Sequence, residues 1–145
     1  MKITTKGRYA IHILYDLAQN KTGQPVPVKE IAERQEISVK YTEQIISILN
    51  KSGYVKSSRG FQGGYRLTKP LEEYVIGDIL RLTEGSLAPV ECLRAEENLC
   101  PKQHRCETIL LWEKVDEAIR SVVDHVTLRD LLNWQTREAG EIAAR

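Results

Sequence analysis

The sequence predicts a mainly α-helical fold with one small β-hairpin, and three observations support this class. Apolar residues recur at helical spacing in six segments of the 145-residue chain. Two short runs that favour strands flank a glycine-rich segment at residues 59–64. In the second half, apolar residues follow an a/d-type rhythm, which is typical of a helix that packs along another helix.

The first two helices are predicted from stripes of apolar residues. One stripe lies between Tyr9 and Asn20 and consists of Ala10, Ile13, Leu14, Leu17 and Ala18. The opposite side of this helix carries Arg8, His12 and Asp16. Residues 21–27 hold one glycine and two prolines and therefore form a loop. A short second helix follows, with Val28, Ile31 and Ala32 facing inward.

A turn at residues 35–37 leads to a third helix, which Ser38 is expected to cap at its N-terminus. Its core face is Thr42, Ile45, Ile46 and Leu49. Gly53 suits the left-handed residue that ends it. Two short helices joined by a tight turn indicate a helix-turn-helix, whose second helix lies in the DNA major groove. The candidate DNA contacts are Ser38, Lys40, Tyr41, Glu43 and Gln44.

A β-hairpin is predicted directly after these helices. Residues 54–58 and 65–68 favour strands, and the glycine-rich segment forms the tip between them. Such a hairpin is the wing of a winged helix-turn-helix. Gly60 allows the backbone to approach DNA closely, and Arg59 can enter a minor groove or hold a phosphate. A plain hairpin with a flexible loop would not explain the basic residues Lys56, Arg59 and Arg66.

The net charge of +1 hides two halves of opposite sign. Residues 1–70 carry 12 Lys and Arg against 5 Asp and Glu, whereas residues 71–145 carry 9 against 15. A basic half suits the phosphate backbone of double-stranded DNA, and an acidic half would be repelled by it. The charge distribution therefore places the predicted DNA contact in the first half.

The acidic half is predicted to contain three more helices. A short one spans 77–83, a longer one carries the stripe of Thr108, Trp112, Val115, Ile119, Val122 and Val126, and a last one begins at a capping box of Thr127 and Asp130. The tail beyond Trp134 is expected to be loose. The long helix is expected to pack against a partner subunit, which gives a homodimer.

We predict a winged helix-turn-helix domain at 1–75, a connecting helix and cysteine loop at 76–106, and a dimerisation helix with C-terminal helix or tail at 107–145.

All three cysteines lie within residues 92–106, at Cys92, Cys100 and Cys106. An odd number of thiols in a cytoplasmic chain argues against a disulfide framework. Their spacing is poor for zinc, which usually takes cysteines two to four residues apart. Widely spaced thiolates suit an iron–sulfur cluster better. Each alone would more often be a small buried hydrophobe, but this loop is polar.

Other classes of protein are disfavoured. No long apolar run follows the first charged residues, so we expect no secretory signal or transmembrane helix and a cytoplasmic location. No Ser/His/Asp arrangement, phosphate-cradling motif or histidine-rich metal centre is evident. We therefore expect neither an enzyme nor a small-molecule substrate.

Four segments together resemble the IscR-like family of dimeric winged-helix repressors. They are K-I-T-T-K-G-R-Y-A at residues 2–10, I-S-V-K-Y-T-E-Q at 37–44, S-S-R-G-F-Q-G-G-Y-R-L at 57–67 and the three-cysteine loop before L-W. The similarity runs from residue 1 to about residue 132. It implies a transcription regulator, and the family includes regulators of iron–sulfur assembly, iron-responsive and nitric-oxide-responsive repressors, and a cysteine-metabolism repressor that lacks the cysteines.

The resemblance also implies roles for single residues. The three cysteines match the thiolate ligands of a 2Fe–2S or 4Fe–4S cluster. Glu43 and Gln44 match base-reading positions, and Arg59 matches an arginine placed in the minor groove. Lys40 stands where the assembly regulators have serine, so the target sequence is expected to differ.

The fourth cluster ligand of the family has no counterpart here. Ile109 and Arg8 stand where relatives supply a histidine or an acid. We expect His12 from the partner chain to be the fourth ligand, with His104 or a non-protein ligand as alternatives.

Two functions follow as expectations. The first is a repressor that binds operator DNA and senses iron–sulfur status, redox state or nitric oxide through its cluster. The alternative is a repressor of the cysteine-metabolism type, controlled by a partner protein and without a cluster.

Overall fold

The computed structural model describes residues 1–20 and 23–143, and this part of the chain holds six α-helices and one antiparallel β-hairpin. The elements are α1 (Thr5–Gln19), α2 (Val28–Gln35), α3 (Val39–Lys51), β1 (Val55–Ser58), β2 (Gly64–Leu67), α4 (Ile76–Glu84), α5 (Ile109–Val123) and α6 (Leu128–Ala143). Short 3₁₀ segments lie at Leu71–Glu73, Glu91–Leu93 and Gln103–Arg105. The fold class predicted from the sequence is confirmed. The predicted loop at 21–27 falls partly outside the described residues.

One buried cluster holds the fold together. Its apolar members come from α1, α2, α3, β1, α4 and α6, and from the segments that connect them. Ile79 of α4 and Leu128 of α6 are fully buried in the same cluster as Leu14 of α1. Burying a side chain of this size contributes about 1.5–3 kcal/mol. Because the cluster includes residues from both halves of the sequence, α4 and α6 support the first three helices directly.

The helix α1 begins at Thr5, four residues before the predicted Tyr9, because a distant side chain caps it. Glu84, the last residue of α4, accepts three hydrogen bonds at Oε1. The donors are the backbone N–H of Thr4 at 3.0 Å, the hydroxyl of Thr4 at 2.7 Å and the backbone N–H of Gly7 at 3.1 Å. A carboxylate at this position also interacts favourably with the positive end of the helix dipole. Glu84 therefore fixes the end of α4 to the first turn of α1.

Replacing Glu84 with alanine is expected to lower the free energy of unfolding by about 1–2 kcal/mol, since the first-turn N–H groups lose their acceptor. Thermal and urea unfolding of the purified protein measure this change. The matched control is Glu33→Ala on α2, where the glutamate is exposed, and it should change stability by less than about 0.5 kcal/mol. Equal stability of the Glu84 variant and the control would contradict the capping role.

The helix α5 is shorter than predicted. It ends at Val123, with Asp124 as its C-cap, and Val126 lies outside it in a segment that pairs with the start of α4. The backbone N–H of Ile76 donates to the carbonyl of Val126 at 2.9 Å. Its 15 residues span about 22 Å, and not the length of nearly 30 Å expected for residues 108–126.

The predicted apolar stripe of α5 also divides between two environments. Ile119 and Val126 pack against the core, whereas Val122 is 59% exposed. No residue of α5 is fully buried. The exposed apolar face is therefore rotated from the predicted one: Leu111, Ala118 and Val122 are exposed on one side of α5, with the half-buried Val115 among them.

A bidentate ion pair joins α4 to the end of α5. Arg81 contacts the two carboxylate oxygens of Asp124 at 2.6 and 3.1 Å. This hydrogen bonding, with the positive charge of Arg81, holds the pKa of Asp124 below its ordinary value. Gly77 lies directly beneath the pair, and a Cβ there would collide with Asp124. The ion pair thus requires α4 to approach the end of α5 closely, which Gly77 permits because it has no Cβ.

The predicted capping box of α6 is confirmed. Asp130 Oδ2 accepts from the backbone N–H of Thr127 at 2.8 Å and from its hydroxyl at 3.0 Å. The prediction of a loose tail beyond Trp134 is wrong for the described residues, because α6 continues to Ala143. Gln135, Arg137 and Glu138 have good helix propensity and no proline interrupts them, which favours continuation of the helix.

Candidate nucleic-acid interface and cysteine loop

The turn between α2 and α3 brings the two helices of the predicted helix-turn-helix together. Glu36 adopts a left-handed conformation with φ 54°, and Ile37 donates its backbone N–H to the carbonyl of Ala32 at 3.0 Å. Ser38 caps α3 as predicted, since its Oγ accepts from the backbone N–H of Tyr41 at 3.2 Å. The predicted core face of α3 is confirmed: Thr42, Ile45, Ile46 and Leu49 are all buried.

The opposite face of α3 is exposed to solvent. Of the candidate DNA contacts on this helix, Ser38, Lys40, Glu43 and Gln44 are exposed. Tyr41 is half-buried, and its ring packs edge-on against Tyr9 of α1, with 5.9 Å between ring centroids. Four of the five side chains are therefore accessible to a ligand, although Ser38 Oγ also caps α3, while the ring of Tyr41 packs α3 on α1.

An ion pair that the sequence did not indicate holds α2 on α1. Asp16 was expected on the polar side of α1, but it is 4% exposed. The Nε of Arg34 donates to both carboxylate oxygens of Asp16, at 2.8 and 3.0 Å. This hydrogen bond raises the pKa of Arg34. Helical periodicity alone could not separate a paired buried aspartate from a solvated one.

The hairpin after α3 forms the predicted wing. Its two strands begin one residue away from the predicted boundaries, with Val55 opposite Leu67 and Ser58 opposite Gly64. Val26 adds a short third pairing through two hydrogen bonds with Tyr65, at 2.8 and 2.9 Å. A Cβ on Gly64 would collide with the backbone at Val26 and Pro27. Gly64 therefore allows the wing to lie against the segment before α2.

The exposed residues of the wing are strongly basic. Lys56 and Arg66 stand directly opposite each other in the strand ladder, so their side chains lie on the same face. Both are exposed, as are Arg59 and Gly60 at the tip. Like charges directly opposite each other destabilise a hairpin. This face of the wing therefore offers two neighbouring cations to an anionic ligand.

The three cysteines lie on irregular segments between α4 and α5, and all three are free thiols. Cys92 is in the 3₁₀ segment Glu91–Leu93, and Cys100 donates its backbone N–H to Asn98 Oδ1 at 3.0 Å. Cys106 precedes α5, with its Sγ 3.6 Å from the hydroxyl of Thr108. That hydrogen bond and the backbone N–H groups of the first turn lower the pKa of Cys106. In cysteine ligands generally, the thiolate and not the thiol binds a metal.

The structure does not gather the three thiols into one site. Cys92 and Cys100 line a shared cleft of about 420 Å³, but Cys106 is not part of its lining. Within the described part of the chain, no three His, Cys, Asp or Glu side chains are placed to hold a metal ion. The donor chemistry fits an iron–sulfur cluster, since cysteine thiolates are its usual ligands, and the chain supplies three of the usual four. The arrangement fits only if residues 92–106 fold more tightly around the group.

The two candidate histidines lie apart from this cleft. His12 is exposed on α1, at the edge of a second cleft that Ile11, Tyr15, Leu131 and Trp134 line between α1 and α6. His104 is exposed in the 3₁₀ segment before Cys106. Ile109 starts α5 and offers no ligand atom. The identity of a fourth ligand stays a prediction.

None of the helices in the described residues is long and apolar enough to cross a membrane.

Comparisons with known proteins agree with this architecture. A family model described as "Rrf2: Iron-dependent Transcriptional regulator" matches residues 3–134. The protein rrf2 of Nitratidesulfovibrio vulgaris is 42% identical over 133 residues, which cover 91% of this chain and 87% of that protein. The solved structure of CymR, the global cysteine regulator of B. subtilis, is similar with a TM-score of 0.75 at 37% identity, covering 92% of this chain and 98% of that one. The structure of T. potens IscR is similar with a TM-score of 0.73 at 41% identity, covering 92% and 87%.

Proposed function

Because this chain belongs to the Rrf2 family of transcriptional regulators, we propose that it represses transcription from an operator that it binds as a homodimer. We further propose that an iron–sulfur cluster held by Cys92, Cys100 and Cys106 controls this binding. The chain is a transcriptional regulator and not an enzyme. The proposal that the chain binds DNA is carried by one observation. The exposed polar face of α3 precedes a wing on which the cations Lys56 and Arg66 stand opposite each other.

The residues proposed to contact DNA divide into two kinds. Gln44 and Glu43 carry amide and carboxylate groups that can read adenine and cytosine edges in the major groove. Lys56, Arg59 and Arg66 would neutralise phosphates or enter the minor groove, and they add affinity without reading sequence directly. Residues of the first kind determine which operator is bound, and those of the second determine how strongly salt weakens binding.

Fluorescence anisotropy tests this division on an operator duplex selected by the protein from random sequences. Gln44→Ala should weaken operator binding by about 1–3 kcal/mol and leave non-specific binding unchanged. Lys56→Ala should weaken both and reduce the salt slope by about 1. The control is Gln19→Ala, at an exposed position at the end of α1 and outside the proposed DNA contacts. If Gln44→Ala changed affinity for all duplexes equally, base reading by α3 would be wrong.

The proposed route from the cysteine loop to the DNA-binding helices runs through observed contacts. The loop follows α4, whose last residue Glu84 holds the first turn of α1. The α1 helix in turn contacts α2 through Asp16 and Arg34, and α3 through Tyr9 and Tyr41. When bound, a cluster supplies a group that can change oxidation state or be lost. Tightening or release of residues 92–106 would then shift α4 relative to α1.

Anaerobic purification with iron and sulfide analysis tests the cluster. We expect wild-type protein to be coloured and to contain both elements, and the variant Cys92→Ala/Cys100→Ala/Cys106→Ala to contain neither. Operator affinity should differ between loaded and cluster-free wild type and should not respond to iron in the triple variant. Gln103→Ala, in the same loop, is the matched control and should retain iron.

A second function is supported by the separation of Cys106 from the cleft of the other two cysteines and by the similarity to a cysteine regulator. In this alternative a partner protein controls DNA binding and no cluster forms. Colourless anaerobic protein that binds its operator but contains no iron or sulfide would support the alternative and exclude the cluster.

A further inference from the structure

Phe61, the one phenylalanine of the chain, lies at the tip of the wing with its side chain fully exposed. Its relative exposure is 105%, the largest among the exposed large hydrophobic residues. It occupies the second position of a tight turn in which the backbone N–H of Gly63 donates to the carbonyl of Gly60 at 3.0 Å. The turn therefore points the aromatic ring away from the rest of the protein.

The turn holds the ring outward for identifiable reasons. Gly60 has a φ of 109°, which other residues rarely adopt. A Cβ on Gly63 would collide with the backbone carbonyls of Ser58 and Gly60. The tip is thus a constrained loop and not an open one. Within it, Phe61 contributes nothing to the core, although exposing an aromatic ring to water is unfavourable.

The surroundings of the ring indicate which partner covers it. Arg59 lies two residues away, and Lys56 and Arg66 follow on the same wing, all exposed. An apolar ring within a set of cations matches a ligand that is anionic outside and has apolar, stackable surfaces inside. Double-stranded DNA has this chemistry, with phosphates at the groove edges and base faces between them. Proteins that bind the minor groove insert Phe, Leu, Ile or Met side chains between base steps.

We propose that Phe61 inserts as a wedge at a base step in the minor groove, partly unstacks it and bends the operator. This inference rests on the proposed DNA-binding function and extends it. It assigns to Phe61 the recognition of base steps that are easily unstacked. Pyrimidine–purine steps such as TA and CA/TG unstack most easily. The wedge therefore makes the protein prefer operators with such a step under the wing, without a hydrogen bond to any base there.

The test uses the full chain and an operator duplex selected by wild-type protein from random sequences. 2-Aminopurine is placed at each step in turn along the flanks, because its emission rises when stacking is lost. We expect wild-type protein to raise the emission at one flanking step per half-site. Phe61→Ala should abolish this rise and weaken binding by roughly tenfold or more, whereas Phe61→Leu should retain part of both. Gln62→Ala, the adjacent exposed tip residue, is the control and should behave as wild type.

A second arm exchanges the flanking pyrimidine–purine step for a stiffer AA step. Wild type should lose affinity on this exchange and Phe61→Ala should not. If Phe61→Ala binds the operator as tightly as wild type and leaves the 2-aminopurine response unchanged, the wedge is wrong. Unchanged binding together with lost repression in a purified transcription assay would also overturn it and assign Phe61 to a protein partner. If no duplex is selected by wild type, the proposed DNA binding itself fails.

Discussion

Replacing Leu111 with glutamate is expected to convert the proposed homodimer into a monomer and to weaken operator binding by about 100-fold or more. The reason lies in the exposed face of α5. Leu111 is 53% and Val122 59% exposed, and Val115 and Ala118 lie between them on the same side of the helix. The spacing of four, three and four residues is typical of a helix that packs along a second helix.

The size of this effect follows from two costs. A glutamate placed in an apolar helix–helix contact leaves a buried charge without a partner, which is unfavourable by several kcal/mol. A monomer then contacts one half-site only, and linked binding of two half-sites typically raises affinity by about 10²–10⁴-fold. Sedimentation velocity measures the oligomeric state, and anisotropy on the selected operator measures the affinity.

The matched control for this experiment is Glu113→Lys. Glu113 is exposed on α5 but lies on a different side of the helix from Leu111. It also changes a charge, so a general sensitivity of α5 to charge would appear in both variants. We expect Glu113→Lys to remain dimeric and to bind the operator. A dimeric Leu111→Glu protein with wild-type affinity would show that the dimer uses another surface.

Local sequence signals were sufficient for most of the fold. Helical periodicity placed six helices, and the caps at Ser38 and at Thr127 were correct because their partners lie three residues away. The start of α1 was misplaced because its cap, Glu84, is 80 residues distant from Thr4. Asp16 was misassigned for a similar reason, since its partner Arg34 lies on another helix. Periodicity reports which face is apolar and not which polar groups find a distant partner.

The candidate sites differ in how far the sequence determined them. The exposed face of α3 follows directly from its core face, because the two are opposite sides of one helix. The wing follows from two strands and a glycine-rich turn. The cysteine loop has no such regularity, and its thiols are separated among short segments. The sequence identifies these thiols as suitable ligands, but their arrangement depends on what binds them.

Replacing Tyr74 with phenylalanine is expected to lower the free energy of unfolding by about 1–3 kcal/mol and to weaken operator binding. Tyr74 is completely buried. Its hydroxyl donates to the carbonyl of Tyr54 at 2.6 Å, and it accepts the backbone N–H of Thr68 at 2.9 Å. Tyr54 precedes β1 and Thr68 follows β2, so one hydroxyl joins both ends of the wing at its base. Tyr74→Ala also removes the ring and should cost about 3–5 kcal/mol.

Tyr15→Phe is the matched control, since the Tyr15 hydroxyl accepts a long 3.5 Å hydrogen bond from the exposed Gln19 and is not buried as Tyr74 is. It should change stability by less than about 0.5 kcal/mol. Comparison with Arg59→Ala separates two causes of weak DNA binding. Arg59→Ala should lose affinity at an unchanged melting temperature, because its side chain is exposed. Tyr74→Phe should lower both the affinity for the operator and the melting temperature, because the wing can present its cations to DNA only while its base is held in place. Wild-type affinity at a lowered melting temperature would show that the wing keeps its position without this hydroxyl.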